Sequence, residues 1–157
     1  MPNLRGLNAE MSAERDSYAY FTIMSSLSLN DIETHMGMAG DGNCWSIGDP
    51  RKPPVPGTYS FSRWSLLSGV ERGRPINKHL QALWRRLSAY REKITELPEG
   101  MDGSIICVAY FNSHLDNVEI ASGHFATAAY YKLELDCDFY FDDNFGHDDE
   151  GKPYWSW

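Results

Sequence analysis

The sequence has no apolar stretch that approaches the roughly 20 residues needed for a membrane-spanning helix. Residues 1–6 also lack the basic start and the apolar segment of a secretory signal. Only three cysteines are present, Cys44, Cys107 and Cys137, and their odd number argues against a complete disulfide framework. These absences predict a soluble protein of a reducing cytoplasm, in which Cys107 and Cys137 are buried thiols.

The motifs that mark common catalytic and cofactor sites are missing as well. The sequence contains neither a phosphate-binding glycine loop nor a nucleophile-elbow motif, and its five histidines have no zinc-binding spacing. A segment that begins at Asp142 is superficially similar to a calcium loop, but His147 and Pro153 replace its essential glycine and glutamate. We therefore assign no catalytic residue, metal ligand or cofactor, and expect binding rather than catalysis.

Positive charge is absent from one long segment near the end of the chain. Residues 133–151 include eight acidic residues and no Lys or Arg, and this segment accounts for the whole formal net charge of −8. Such a segment repels the phosphate backbone of nucleic acids, whereas it attracts a basic protein surface. The candidate partner-binding residues are acidic and aromatic side chains of this segment and the residues after it: Asp136, Asp138, Asp142, Asp143, Asp148, Asp149, Trp155 and Trp157.

What is present is typical of a single globular domain. The chain has 157 residues, of which 42% are hydrophobic and 23% are charged. The polar residues 1–16 show no periodicity and are interpreted as a flexible lead-in. Residues 17–142 are predicted to form one domain, and residues 143–157 an acidic and aromatic C-terminal tail.

The hydrophobic periodicity indicates both helices and strands. Apolar residues recur at steps of three and four from Ile76 to Leu97, which predicts one helix of about six turns. Residues 17–25, 58–67, 104–111 and 133–142 are rich in β-favouring or alternating residues and are predicted strands. This order favours an α+β fold, an antiparallel sheet with its helices packed on one face in a ferredoxin-like arrangement.

Several short motifs, in this order, give the chain a family resemblance. They are the aromatic first strand with Asp31-Ile32, Trp45-Ser46-Ile47-Gly48-Asp49-Pro50, Trp64-Ser65-Leu66, the helix from Ile76, and Leu135-Asp136-Cys137-Asp138-Phe139-Tyr140. With these landmarks the chain resembles the bacterial domain-of-unknown-function family 4279 over about residues 17–141. The resemblance implies a compact α+β domain and carries over no activity and no site residues.

Three functional hypotheses follow from the sequence. The first is a protein-binding module, most specifically an immunity or antitoxin protein that neutralises a cognate bacterial toxin through its acidic surface. The second is an enzyme of unrecognised type with a small-molecule pocket near the loop of residues 41–57, and the third is a self-associating structural subunit. Asp136 and Asp138 on one strand face are interpreted as an exposed edge rather than an acid–base pair, and Trp45 and Trp64 as packing residues.

Overall fold

The computed structural model of the protein describes residues 17–111 and 118–141. The predicted lead-in at 1–16 and the predicted tail at 143–157 lie outside these ranges. The strands are β1 (Tyr18–Ser25), β2 (Ser62–Leu67), β3 (Met101–Phe111) and β4 (Glu134–Phe141). The helices are α1 (Leu29–Met36), α2 (Ile76–Leu87), α3 (Arg91–Thr95) and α4 (Ser122–Tyr130), with a 3-10 turn (Ser88–Tyr90) between α2 and α3.

The four strands form one mixed sheet in the order β2-β1-β3-β4. β1 is antiparallel to both β2 and β3, whereas β3 and β4 run parallel. The α+β prediction is therefore confirmed, but the prediction of a purely antiparallel sheet is wrong, and the ferredoxin-like arrangement is not confirmed. The physical reason is that α4 connects β3 to β4. A helix in such a crossover returns the chain to the end of the sheet where β3 began, so that β4 runs parallel to β3.

The register of the strands collects the large apolar side chains on one face of the sheet. Phe21 of β1 is paired with Leu66 of β2 and with Ile105 of β3, and all three are buried. Trp64 is fully buried on the same face, where its ring meets that of Phe21 edge-on at 5.9 Å. The core thus lies on this face of the sheet, and the prediction that Trp64 is a packing residue is confirmed.

The apolar helical stripe supplies the other half of the core. Ile76, Leu80, Leu83 and Leu87 of α2 and Ile94 of α3 are all buried in one cluster with the strand residues. The predicted helix over 76–97 is interrupted, since α2 ends at Leu87 and a 3-10 turn precedes α3. The stripe therefore identifies the buried face correctly but not the break in the helix. None of the described helices is both long and apolar enough to cross a bilayer.

His79 is fully buried at the margin of this core. The Nδ1 of His79 lies 2.6 Å from the hydroxyl of Ser68, while its Nε2 makes no hydrogen bond of good geometry. Burial lowers the pKa of His79, and nearby backbone groups, that of Ser17 first, offset only part of this effect. The core therefore accepts the neutral imidazole and disfavours the imidazolium.

We expect the protein to lose stability as the pH falls through the histidine range. Because the folded-state pKa of His79 is lowered, the unfolded chain binds more protons than the folded chain below about pH 6.5. The free energy of unfolding therefore decreases as the pH is lowered through this range. Urea denaturation at pH 7.5 and 5.5 measures this loss. The variant His79→Gln should flatten the pH dependence more than His124→Gln, because His124 is only half-buried. An unchanged slope in His79→Gln would contradict this account.

The packing of β3 makes a second expectation possible. A Cβ at Gly103 would lie 2.9 Å from Leu133 Cδ2 and 3.1 Å from Leu97 Cδ1, whereas nothing lies within 4 Å of one at Gly123. Gly103→Ala should therefore lower the free energy of unfolding by about 1–3 kcal/mol through overpacking. Gly123→Ala, in α4, should leave it unchanged or raise it by up to about 1 kcal/mol. Urea denaturation of both variants measures the difference, and equal effects would refute it.

Candidate functional site

The second face of the sheet is not covered by the described helices, which bury their apolar residues against the first face. We call this second face the open face. Because side chains alternate along a strand, the register assigns it a defined set of residues. They are Tyr18, Tyr20, Thr22 and Met24 of β1, Arg63, Ser65 and Leu67 of β2, Asp102, Ser104, Ile106, Val108 and Tyr110 of β3, and Glu134, Asp136, Asp138 and Tyr140 of β4.

A row of exposed carboxylates occupies the β4 side of the open face. Glu134, Asp136 and Asp138 take alternate positions on β4, and neither β3 nor β4 contains a Lys or Arg. In the described part of the chain, ion pairs join Arg74 to Glu71 and Arg86 to Asp41, and none involves this row. We call Glu134, Asp136 and Asp138 the acidic row.

The repulsion between the carboxylates of the acidic row costs the fold little stability, but their combined potential acts on ions in the nearby solvent. Alternate residues of a strand are about 6.7 Å apart, so neighbouring carboxylates repel by about 0.6 kcal/mol in a water-like medium. That repulsion is small beside the burial energy of the core, which explains why the strand tolerates it. The potentials of the three groups nevertheless add in the solvent beside β4, where a cation would be attracted.

At the opposite side of the open face, Arg63 of β2 lies among aromatic rings. Its guanidinium carbon is 5.1 Å from the ring centroids of both Tyr20 and Trp45. Its Nη2 donates to the hydroxyl of Tyr20 at 2.7 Å, and its Nε donates to the hydroxyl of Ser65 at 3.2 Å. Arg63 therefore joins β1, β2 and the loop that carries Trp45 through direct contacts.

Tyrosine rings connect the two sides of the open face. Tyr18 stacks with Tyr20 at 6.1 Å, and the guanidinium of Arg72 lies 4.2 Å from the ring centroid of Tyr18. Tyr110 stacks with Tyr140 at 5.2 Å, which places an exposed ring beside the acidic row. Burial, and next the neighbouring Tyr110, raise the pKa of Tyr18, so the Tyr18 hydroxyl is a neutral hydrogen-bonding group at physiological pH.

The loop of residues 41–57 covers the outer edge of β2. Trp45 and Arg63 form an antiparallel bridge with reciprocal backbone hydrogen bonds of 3.0 and 2.9 Å. The half-buried indole of Trp45 stacks on Tyr59 at 4.3 Å and donates to the carbonyl of Phe61. Trp45 thus packs at the edge of the sheet.

An open cleft of about 350 Å³ lies in this loop, where the sequence predicts a small-molecule pocket for the enzyme hypothesis. Its lining consists of Asn43, Cys44, Trp45, Asp49, Pro50, Lys52 and Tyr59. Two of its polar side chains already make hydrogen bonds within the fold. Asp49 accepts from the backbone N–H of Ser46 at 2.8 Å, and the sulfur of Cys44 accepts from the backbone N–H of Ser65 at 3.4 Å.

The structure places only part of the predicted partner-binding set. Asp136 and Asp138 project from the same face of β4 and are exposed. Six further residues lie outside the described ranges: Asp142, Asp143, Asp148, Asp149, Trp155 and Trp157. The described residues contain no group of three His, Cys, Asp or Glu side chains arranged to hold a metal ion.

Sequence reasoning missed the arginine and tyrosine part of the open face. The alternation of Tyr18 and Tyr20 with Ala19 and Phe21 was an available signal, because it assigns the tyrosines to the face opposite the core. No such signal existed for Arg63, whose role depends on a bridge to Trp45 across a loop. The prediction of two buried thiols was half wrong, since Cys107 is buried but Cys137 is exposed.

Comparison with known families decides the classification. The family model described as "Domain of unknown function (DUF4279)" matches residues 15–142. The chain belongs to the DUF4279 family. The DUF4279 match includes all four strands and hence the whole acidic row, whereas residues 143–157 lie beyond it. No curated protein and no solved structure matches the chain.

In this DUF4279 domain the contacts of Arg63 join β1, β2 and the loop that carries Trp45, and removal of its side chain tests what they contribute to stability. Arg63→Ala removes two hydrogen bonds and two contacts with ring faces, so we expect the free energy of unfolding to fall by about 1–2 kcal/mol. Arg85→Ala, an exposed position of α2, removes the same charge and serves as the control. Urea denaturation of the two variants measures the difference. Equal losses in the free energy of unfolding would show that the contacts of Arg63 contribute nothing to stability.

Proposed function

We propose that this protein is a protein-binding module whose open face, at the acidic row, takes a partner with a basic surface. In its most specific form the proposal is an immunity or antitoxin protein of the bacterial cytoplasm that neutralises a cognate toxin. The observation that carries the proposal is the exposed row of Glu134, Asp136 and Asp138, with no cation in β3 or β4.

The charge arrangement supports a basic partner because it has no internal use in the described part of the chain. The acidic row makes no ion pair there, so its field is directed into solvent. Lysine and arginine side chains of a partner would relieve the repulsion within the row as they bind. Attraction of this kind raises association rates and favours partners of the right sign.

The tyrosines beside the row support a protein partner rather than a free cation. Tyr140 is 48% exposed, stacks on Tyr110 and adjoins Asp138 on the same strand. Tyrosine is enriched at protein interfaces because a rigid ring contributes a large contact area and a hydroxyl at little cost in entropy. On a face with both features, the carboxylates attract the basic partner during encounter and the tyrosine rings supply contact area in the complex.

A small-molecule site at the cleft of the 41–57 loop is the second candidate function. The cleft supports it because the exposed Lys52 and the stacked rings of Trp45 and Tyr59 are part of its lining. Catalysis has less support there, because Asp49 and Cys44 are held by backbone N–H groups. Quenching of Trp45 fluorescence in a metabolite screen, absent in Trp45→Phe, is the expected sign of such a ligand.

Charge reversal on β4 tests the main proposal. The full chain and the variant Asp136→Lys/Asp138→Lys are used as bait in a lysate of the organism that encodes the protein. The control Glu92→Lys/Glu99→Lys makes the same change in charge at exposed positions of α3 and of the turn before β3. We expect a stoichiometric basic partner with wild type and control, and at least a tenfold weaker association with the β4 variant, since two close charge pairs are lost.

Binding to the purified partner should also weaken as salt is raised, and the β4 variant should lose that salt dependence. Equal binding by all three proteins would remove the acidic row from the interface. For the immunity form, co-expression with a toxin encoded next to this protein should restore growth with wild type and the control. Restored growth with the β4 variant would contradict that form.

A further inference from the structure

Two of the three cysteines are direct neighbours across the parallel pair of strands. Cys107 of β3 and Cys137 of β4 are register partners, and their side chains lie on the same face of the sheet. Neighbouring strands are about 4.8 Å apart, which lies within the range of Cα separations that a disulfide spans. The two thiols are close enough for each to influence the pKa of the other.

The two thiols differ sharply in their access to solvent. Cys137 is exposed at the outer strand of the described sheet, whereas Cys107 is fully buried beneath it. A dissolved oxidant can therefore reach Cys137 directly. Cys107 is shielded from the oxidant, but it is the neighbour of Cys137, whose sulfur the oxidant would attack.

We propose that Cys137 and Cys107 form a peroxide-oxidisable dithiol, a modification site on the strand that carries the acidic row. The Cys137 thiolate attacks one oxygen of a hydroperoxide, the O–O bond breaks, and Cys137 becomes a sulfenic acid. The Cys107 sulfur then attacks the Cys137 sulfur, and the hydroxyl leaves as water with the Cys107 proton. Two thiols lose two electrons to the peroxide, which with hydrogen peroxide is reduced to two molecules of water.

The surroundings of the pair set the conditions for this reaction. Burial, and next the neighbouring Cys137, raise the pKa of Cys107 to about 12. Burial also raises the pKa of Cys137, with contributions from the carboxylates of Asp136 and Asp138. Because the thiolate is the nucleophile, the reaction is slow at neutral pH and faster in mildly alkaline buffer. Peroxide should therefore act on this site only at sustained exposure.

Cys44 provides an internal control. It lies beside β2, at the opposite side of the sheet from β4, with two strands between. At about 4.8 Å per strand, Cys44 is about 14 Å or more from Cys137 on β4 and about 10 Å or more from Cys107 on β3, and both separations exclude a disulfide within one chain. The inference does not depend on the proposed function, because the dithiol would exist whatever partner the open face binds.

The test uses the full chain, treated with hydrogen peroxide at pH 8.5, with free thiols titrated after denaturation. We expect the count to fall from the three cysteines of the sequence to one. Peptide mapping should show a Cys107–Cys137 disulfide that a reductant reverses. Cys44→Ser should form the same disulfide, whereas Cys137→Ser should form none.

A further variant, Cys107→Ala, should stop at the sulfenic acid of Cys137, which dimedone traps. Peptide mapping of the wild-type chain decides the question even if a substitution at the buried Cys107 prevents folding. Two unmodified thiols at positions 107 and 137, or disulfides only between chains, would overturn the proposal.

Discussion

The register between β1 and its neighbours β2 and β3 is the constraint on which the rest of the structure depends. It aligns Phe21 with Leu66 and Ile105, and Ile23 with Trp64, so that one face of the sheet becomes the core. A shift by one residue would move these side chains to the opposite face and bring Tyr20 and Thr22 into the core. The same register therefore creates the open face, where the tyrosines, Arg63 and the acidic row meet solvent.

The amino-acid sequence was sufficient to predict the parts of the fold that depend on local periodicity. The alternation in β4 predicted a half-buried strand with an acidic outer face. Asp136 and Asp138 are exposed as predicted, but Cys137 and Phe139 on the other face are exposed as well. The stripe from Ile76 predicted the buried helix face, because spacing of three and four defines that face whatever happens at the helix ends. These predictions required no knowledge of which strands are neighbours.

The predictions that failed depended on contacts between distant residues. The direction of β4 relative to β3 is set by the crossover through α4, and periodicity within a strand does not encode it. The exposure of Cys137 follows from the position of β4 at the outer side of the described sheet. Arg63 acquires its role only when the loop carrying Trp45 pairs with β2, 18 positions away along the chain. The periodicity within each strand therefore predicted which side chains share a face of the sheet, but not which side chains from distant parts of the chain are in contact.

The division of the sheet into two faces gives the proposed function a physical basis. The described helices pack on the core face, whereas the open face combines uncompensated negative charge with ordered aromatic rings. Steering by charge and contact through rings are the two features that distinguish a binding surface from an ordinary solvated one. The dithiol of Cys107 and Cys137 lies on the reverse side of the same strand, next to the charges that the partner would meet.

The most direct test of this account is to follow the backbone amide resonances of the full, isotope-labelled chain while the purified partner is added. If the open face is the binding surface, the largest changes occur in β4 and at Tyr110, and the amides of α2 and α3 shift little. Changes concentrated on α2 and α3, with β4 unaffected, would contradict the central claim that the open face is where this protein binds.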